Sequence, residues 1–408
     1  MAVIRSTFGR MALCALACSP LLVGQRAIDD RSKDRTTPMS SGQVSFYQLP
    51  ILPPGTAEVR VFYVTNRSVK GAGRHVGDYS NSDTRRDVSL GTSVVGIPRD
   101  HRLGGFETAS ILRFQFRNDP RKHISVLSVD PQTREHFYRE LSSRVASSRG
   151  REALVFVHGF NVTFEDSLRR TAQLAYDLGF DGAPVAFTWP SRSIGMSTLE
   201  AFVTTLSPGA GTALFAFASR REYSAAEENS DLAAFSLKEF LSEVRKRSGA
   251  TTIHLIAHSM GGRVLARALS ELEEPQQSRR VASLRQIVLA APDINVEVFK
   301  RLAEGFRLKA DRITLYASSK DHALALSKQI HDHPRAGETG AGIVVMPGID
   351  TIDVSAVDTD LDGHSYYADN RSVISDIFQL LRSNAPPSDR FGLAQVLAVG
   401  GRYWLFRP

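Results

Sequence analysis

The chain has 408 residues, enough for one large domain or for two to three of ~150 residues each. Hydrophobic residues make up 42% and charged residues 23%, the balance of a globular chain, which excludes collagen-like, coiled-coil and mainly disordered architectures. The formal charge of +7 arises from 50 basic and 43 acidic residues interspersed along the whole length, a mixed solvated surface, and the short basic segments at 117–122 and 245–247 lack interleaved aromatics, so no nucleic-acid partner is expected.

At the amino terminus Arg5 and Arg10 precede an uncharged run from Met11 to Val23, the pattern of an export signal over residues 1–17. The run is shorter than the ~20 apolar residues that a permanent span requires. The stretch Ala15-Leu16-Ala17-Cys18 resembles a bacterial lipobox, in which Cys18 is lipidated and becomes the first mature residue; an ordinary cleaved signal or an over-long translation start is the alternative. The expected location is exported, periplasmic or envelope-anchored, and lipidation at Cys18 would tether the amino end to a membrane. Cys14 and Cys18 are the only cysteines, so the body holds no disulfide or thiolate-metal scaffold. Residues 18–57 are polar and aperiodic and read as a tether or linker.

The main domain is expected over 58–382. Glu58 to Thr65 alternates as a strand, and further strands are expected at Ser93 to Ile97, Ile111 to Phe116 and His123 to Val129, followed by a helix from Thr133 to Val145. Short apolar runs then recur at Ala153 to Val157, Pro184 to Thr188, Thr252 to Ala257, Gln286 to Ala291, Arg312 to Ala317 and Thr351 to Val357, with amphipathic helices between them. Continuous apolar strands alternating with helices predict an α/β fold: a doubly wound, mostly parallel sheet covered on both faces, with an antiparallel amino-terminal portion at its edge. Residues 383–408 read as a Pro-containing linker, Ser383 to Arg390, and a short strand or helix from Leu393 to Phe406 docking back on the domain.

Ligands of such sheets sit beyond the carboxyl ends of the strands. There the strand Thr252 to Ala257 runs into His258-Ser259-Met260-Gly261-Gly262 and then a helix over Arg263 to Leu272. A serine between strand and helix, followed by small residues, meets the steric demands of a nucleophile elbow, with Ala257 in the place of the usual leading glycine. A serine that merely caps the helix is the bland alternative. The strand Ala153 to Val157 ends in His158-Gly159-Phe160-Asn161, a turn suited to supplying a second backbone donor to an oxyanion, so the Phe160 and Met260 amides are the candidate donors and His158 reads as structural.

Serine needs a base to take its proton and a carboxylate to orient that base. Of the histidines beyond the elbow, His364 in Asp362-Gly363-His364-Ser365 follows the last strand; His322 reads as a neighbour of the acid, and His331 and His333 fall in a polar loop. The latter pair has no supporting third ligand, so no metal site is expected. Asp321, after the strand ending at Ala317, is the preferred acid, while Asp293, in Ala291-Pro292-Asp293, is the rival that the residues alone leave open. The chain order of serine, acid and histidine is that of α/β-hydrolases.

Together Val61-Phe62-Tyr63-Val64-Thr65-Asn66-Arg67, Gly96-Ile97-Pro98, Val155-Phe156-Val157-His158-Gly159-Phe160-Asn161, Thr188-Trp189-Pro190-Ser191, Ala257-His258-Ser259-Met260-Gly261-Gly262-Arg263, Ala291-Pro292-Asp293 and Gly363-His364 resemble an uncharacterised bacterial esterase/lipase-like branch of the α/β-hydrolases, from about Val59 to Leu381. That resemblance implies the triad Ser259, Asp321 and His364, no cofactor, and a small-molecule ester or acyl substrate. The expected activity is cleavage of a carboxylic ester through an acyl-enzyme, rising from about pH 6 to 8 as the imidazole loses its proton. An amidase or thioesterase with the same triad, and a non-catalytic envelope scaffold, are the rival readings. Between Trp189 and Glu239 lies a long connection whose apolar stretch, Leu206 to Phe217, is either a lid or a helix packed flat on the sheet; no dinucleotide or phosphate-loop pattern accompanies it.

Overall fold

The computed structural model describes residues 56–108, 119–191, 210–273, 281–340, 342–357, 366–398 and 400–407, all within the unit Leu49–Pro408. The export segment, Cys18, the tether up to residue 55, the expected strand Ile111 to Phe116, the start of the long connection and His364 lie outside the described residues.

The strands are β1 (Ala57–Val69), β2 (Tyr79–Ile97), β3 (Ser125–Gln132), β4 (Glu152–Val157), β5 (Ala183–Thr188), β6 (Thr252–His258), β7 (Ser283–Ala290), β8 (Ala310–Ala317), β9 (Asp350–Asp353), β10 (Leu393–Ala398) and β11 (Gly401–Phe406). They form one sheet in the order β10-β11-β9-β8-β7-β6-β4-β5-β1-β2-β3. From β1 to β9 every neighbouring pair is parallel; β2 and β3 add an antiparallel edge, as the amino-terminal patterning implies. The carboxyl-terminal residues form a hairpin, whose β11 runs parallel to β9.

Period-2 alternation of side chains explains why these strands read as unbroken apolar runs. Val155 and Val157 point into a core on one face, Leu154 and Phe156 into a core on the other. The first face is covered by α1 (Arg134–Ser147), α3 (Ala210–Arg247), α4 (Met260–Ser270) and α5 (Val296–Glu304), through residues such as Phe137, Leu241, Leu265 and Phe299. The opposite face is covered by α2 (Phe164–Asp177) and α8 (Arg371–Ser383). Two further helices, α6 (His322–His331) and α7 (Tyr366–Asp369), follow β8 and β9 in the chain. No helix among the described residues is long and apolar enough to cross a membrane.

Several boundaries differ from those expected, each for a local reason. The strand expected to reach Val357 stops at Asp353, whose side chain accepts from Ser355 N at 2.9 Å and so starts a turn. The strand expected at Ser93 is the end of the much longer β2, whose polar first half pairs with the tip of β1 through Arg67 and Thr84. Half of the long connection is α3, and its described later part packs flat on the sheet through Leu237, Leu241 and Val244. The expected linker before β10 is pinned: Arg390 is buried, with Nη1 3.3 Å from Asp376 Oδ2, which also accepts from the Tyr316 hydroxyl at 2.6 Å.

Candidate active site

Sheet order brings the carboxyl ends of β6, β7 and β8 side by side, and with them Ser259, Asp293 and Asp321. Ser259 stands between β6 and α4 at φ 54° and ψ −127°, a conformation that L-residues avoid. The bend is held by main-chain bonds: Ser259 N donates to Ala290 O at 2.9 Å, and Ser259 O accepts from Gly262 N at 2.8 Å and Asp293 N at 3.2 Å. Close approach is what the glycines permit. A Cβ at Gly159 would lie 2.8 Å from Ser259 Cβ, and one at Gly261 would lie 2.4 Å from His158 O.

Although Ser259 occupies the N-cap position of α4, its side chain makes no capping bond. A serine there for helix stability would use its hydroxyl on the first-turn amides. The Met260 amide, at the first position of α4, and the Phe160 amide have no protein acceptor among the described residues.

The Phe160 turn is fastened from beneath by a buried hub that the sequence did not announce. Arg67, at the end of β1, donates from Nε to Thr188 Oγ1 at 2.9 Å and from Nη2 to Val162 O at 2.8 Å, and Nη2 lies 3.3 Å from His158 Nε2. Trp189 N donates to the same His158 nitrogen at 3.0 Å, the Trp189 ring stacks on the imidazole, and His158 Nδ1 lies 2.9 Å from Gly159 O. Burial, with Arg67 beside it, holds the His158 pKa well below the usual histidine range. His158 is therefore a neutral structural ring, donating from Nδ1 and accepting at Nε2.

Asp321 is 2% exposed and is the N-cap of α6, accepting from Leu324 N at 2.9 Å. Asp293 is engaged otherwise: it accepts from the Tyr223 hydroxyl at 2.5 Å and from Ser327 Oγ at 2.8 Å, and Arg335 Nε lies 2.8 Å from it. His331 ends α6, so it is helical rather than in a loop; its Nδ1 lies 2.8 Å from Ser327 O and 3.0 Å from Arg335 Nη2. His364 precedes Tyr367 by three residues, and the Tyr367 ring stacks on His258, the residue before Ser259, at 4.4 Å between centroids.

A parallel sheet wound with helices on both faces, and a strained serine between strand β6 and helix α4, define an α/β-hydrolase fold. The chain belongs to the family described as alpha/beta hydrolase of unknown function (DUF900), whose profile matches residues 133–383. Solved structures with likeness to the chain include a predicted CIB-like hydrolase from Thermoplasma acidophilum (15% identity, 57% of this chain and 87% of that one, TM-score 0.30). Others are an esterase from Pyrococcus furiosus (14%, 57% and 81%, TM-score 0.29) and a lipase-esterase related protein from Clostridium acetobutylicum (9%, 57% and 93%, TM-score 0.27). No curated protein matches the chain.

Proposed function

We propose that this protein is a serine hydrolase that cleaves a carboxylic ester through an acyl-enzyme on Ser259. The observation that carries the reading is a strained Ser259 whose hydroxyl does not cap its helix, beside two amides without protein acceptors among the described residues. In this reading His364 takes the Ser259 proton as Oγ attacks the ester carbonyl, and Asp321 orients the imidazole. The Phe160 and Met260 amides stabilise the oxyanion, the proton passes to the departing alcohol, and water then releases the acid by the same steps. The stacking of Tyr367 on His258 supports the histidine assignment, because it tethers the segment after His364 next to the nucleophile. The chemistry calls on no cofactor.

A fluorophosphonate probe is expected to label the parent protein and not Ser259→Ala, and short p-nitrophenyl esters are expected to turn over faster than the matching amides. Labelling of Ser259→Ala at the parent level would remove Ser259 from the mechanism. Export with lipidation at Cys18 belongs to the same proposal. Mass spectrometry of the mature protein is expected to find a diacyl-thioether amino terminus at Cys18, and an unmodified terminus elsewhere would dismiss it.

A further inference from the structure

Asp293 is 5% exposed, and each of its partners comes from a different part of the chain. Tyr223 belongs to α3, Ser327 to α6 and Arg335 to the loop beyond α6. Burial and the adjoining carboxylate push the Tyr223 phenol well above its usual range, so it remains a donor to Asp293 Oδ2. Arg335 closes the ring: its Nε also donates to Ser327 Oγ at 2.9 Å and its Nη2 to the Tyr223 oxygen at 3.3 Å. The Tyr223 ring lies 5.7 Å from that of Phe160, and the Asp293 main-chain amide holds Ser259 O. One residue thus touches the nucleophile's backbone, the long helix and the helix whose amino end Asp321 caps.

We propose that Asp293 is a positioning residue for the Ser259 reaction, which fixes α6 and hence Asp321 through Ser327 and Arg335, and docks α3 against the Phe160 turn through Tyr223. The proposal rests on the serine-hydrolase reading above. Both carboxylate oxygens of Asp293 are already committed to fixed donors within its own network, which suits an anchor. A small displacement of a reacting group is enough to slow chemistry by about 10²-fold while leaving substrate binding nearly intact.

The test measures kcat and KM for a short p-nitrophenyl ester, with active sites titrated by a fluorophosphonate so that unfolded molecules are not counted. Asp293→Asn is expected to lower kcat per titrated site about 10- to 100-fold, with KM within about threefold, and Asp321→Asn to lower it further. Tyr223→Phe and Ser327→Ala, milder changes, are expected to move kcat in the same direction, and to add little on top of Asp293→Asn because they act through one network. They carry the test if Asp293→Asn does not fold. Parent-level kcat in Asp293→Asn, or in both milder variants, alongside an inactive Ser259→Ala, would overturn the positioning role alone. Asp293→Asn as inactive as Ser259→Ala, with Asp321→Asn active, would overturn it in favour of Asp293 as the triad acid. An active Ser259→Ala would overturn the underlying reading, and this proposal with it.

Discussion

The Tyr367 ring lies against the His258 ring with centroids 4.4 Å apart and 26° between the planes, and it also stacks on Phe156 at 6.0 Å. A buried aromatic thereby fastens the chain after β9 to the residue that precedes the candidate nucleophile. Tyr367→Ala is expected to lower kcat/KM for an ester by about 10- to 100-fold, because the ring that packs beside the nucleophile's neighbour His258 is lost. Tyr367→Phe keeps the ring and is expected to stay within about threefold of the parent. Equal activities for the two variants would contradict the anchoring.

Gly261 offers a sharper steric test. A methyl group there meets the His158 and Val157 carbonyl oxygens at 2.4 and 2.5 Å, and both are backbone atoms that cannot swing aside. Gly261→Ala is expected to destabilise the fold by about 2–4 kcal/mol and to abolish fluorophosphonate labelling of the remaining folded protein. At Gly262 the nearest atom is the Pro292 side chain at 2.9 Å, so Gly262→Ala is expected to be milder. Chemical denaturation of both variants checks the order.

Arg67 holds Thr188, Val162 and Ser80 through a planar fork, with a further contact to Asn81. Lysine keeps the charge but presents a single ammonium, so it cannot reach these acceptors together. Arg67→Lys is expected to lower stability by about 2 kcal/mol or more, since buried acceptors lose their donors. A denaturation midpoint unchanged from the parent would show the hub to be dispensable.

His101 lies between two carboxylates, with Nδ1 2.8 Å from Glu107 and Nε2 2.8 Å from Asp177. Burial alone would lower its pKa, but the two carboxylates outweigh it and raise it to about 9. A histidine with a raised folded pKa contributes stability that is fully present below its unfolded value of ~6.5 and lost as pH rises through about 9. Glu107 is held below its usual range by the same contact, so its contribution falls away instead in acid. The parent is therefore expected to lose on the order of 2 kcal/mol between pH 6.5 and 9.5, and His101→Gln to show a flatter profile there. Urea midpoints at the two pH values distinguish them.

How much of this was legible in the sequence follows from what local patterns report. Unbroken apolar runs such as Ala153 to Val157 announce a strand buried on both faces, and the serine followed by two glycines announces a tight strand-to-helix bend, because both are steric requirements of the chain within a few residues. The polar half of β2 escaped, since its residues pair with the tip of β1 rather than pack in a core. Position along the chain favoured Asp321 but left Asp293 open as its rival, since each follows an apolar strand. Their different partners, the Tyr223 hydroxyl for Asp293 and the first turn of α6 for Asp321, come from distant parts of the fold that no spacing reports.

The α/β class, the parallel core, the elbow at Ser259 and the turn at Phe160 are all legible from local pattern, because hydrophobic periodicity and glycine placement act over a handful of residues. The bracing of His158 by Arg67 and the convergence of Tyr223, Ser327 and Arg335 on Asp293 emerge instead from long-range packing. Those partners lie far apart along the chain, and sheet order, which no local pattern encodes, is what brings their charges and donors within hydrogen-bonding distance.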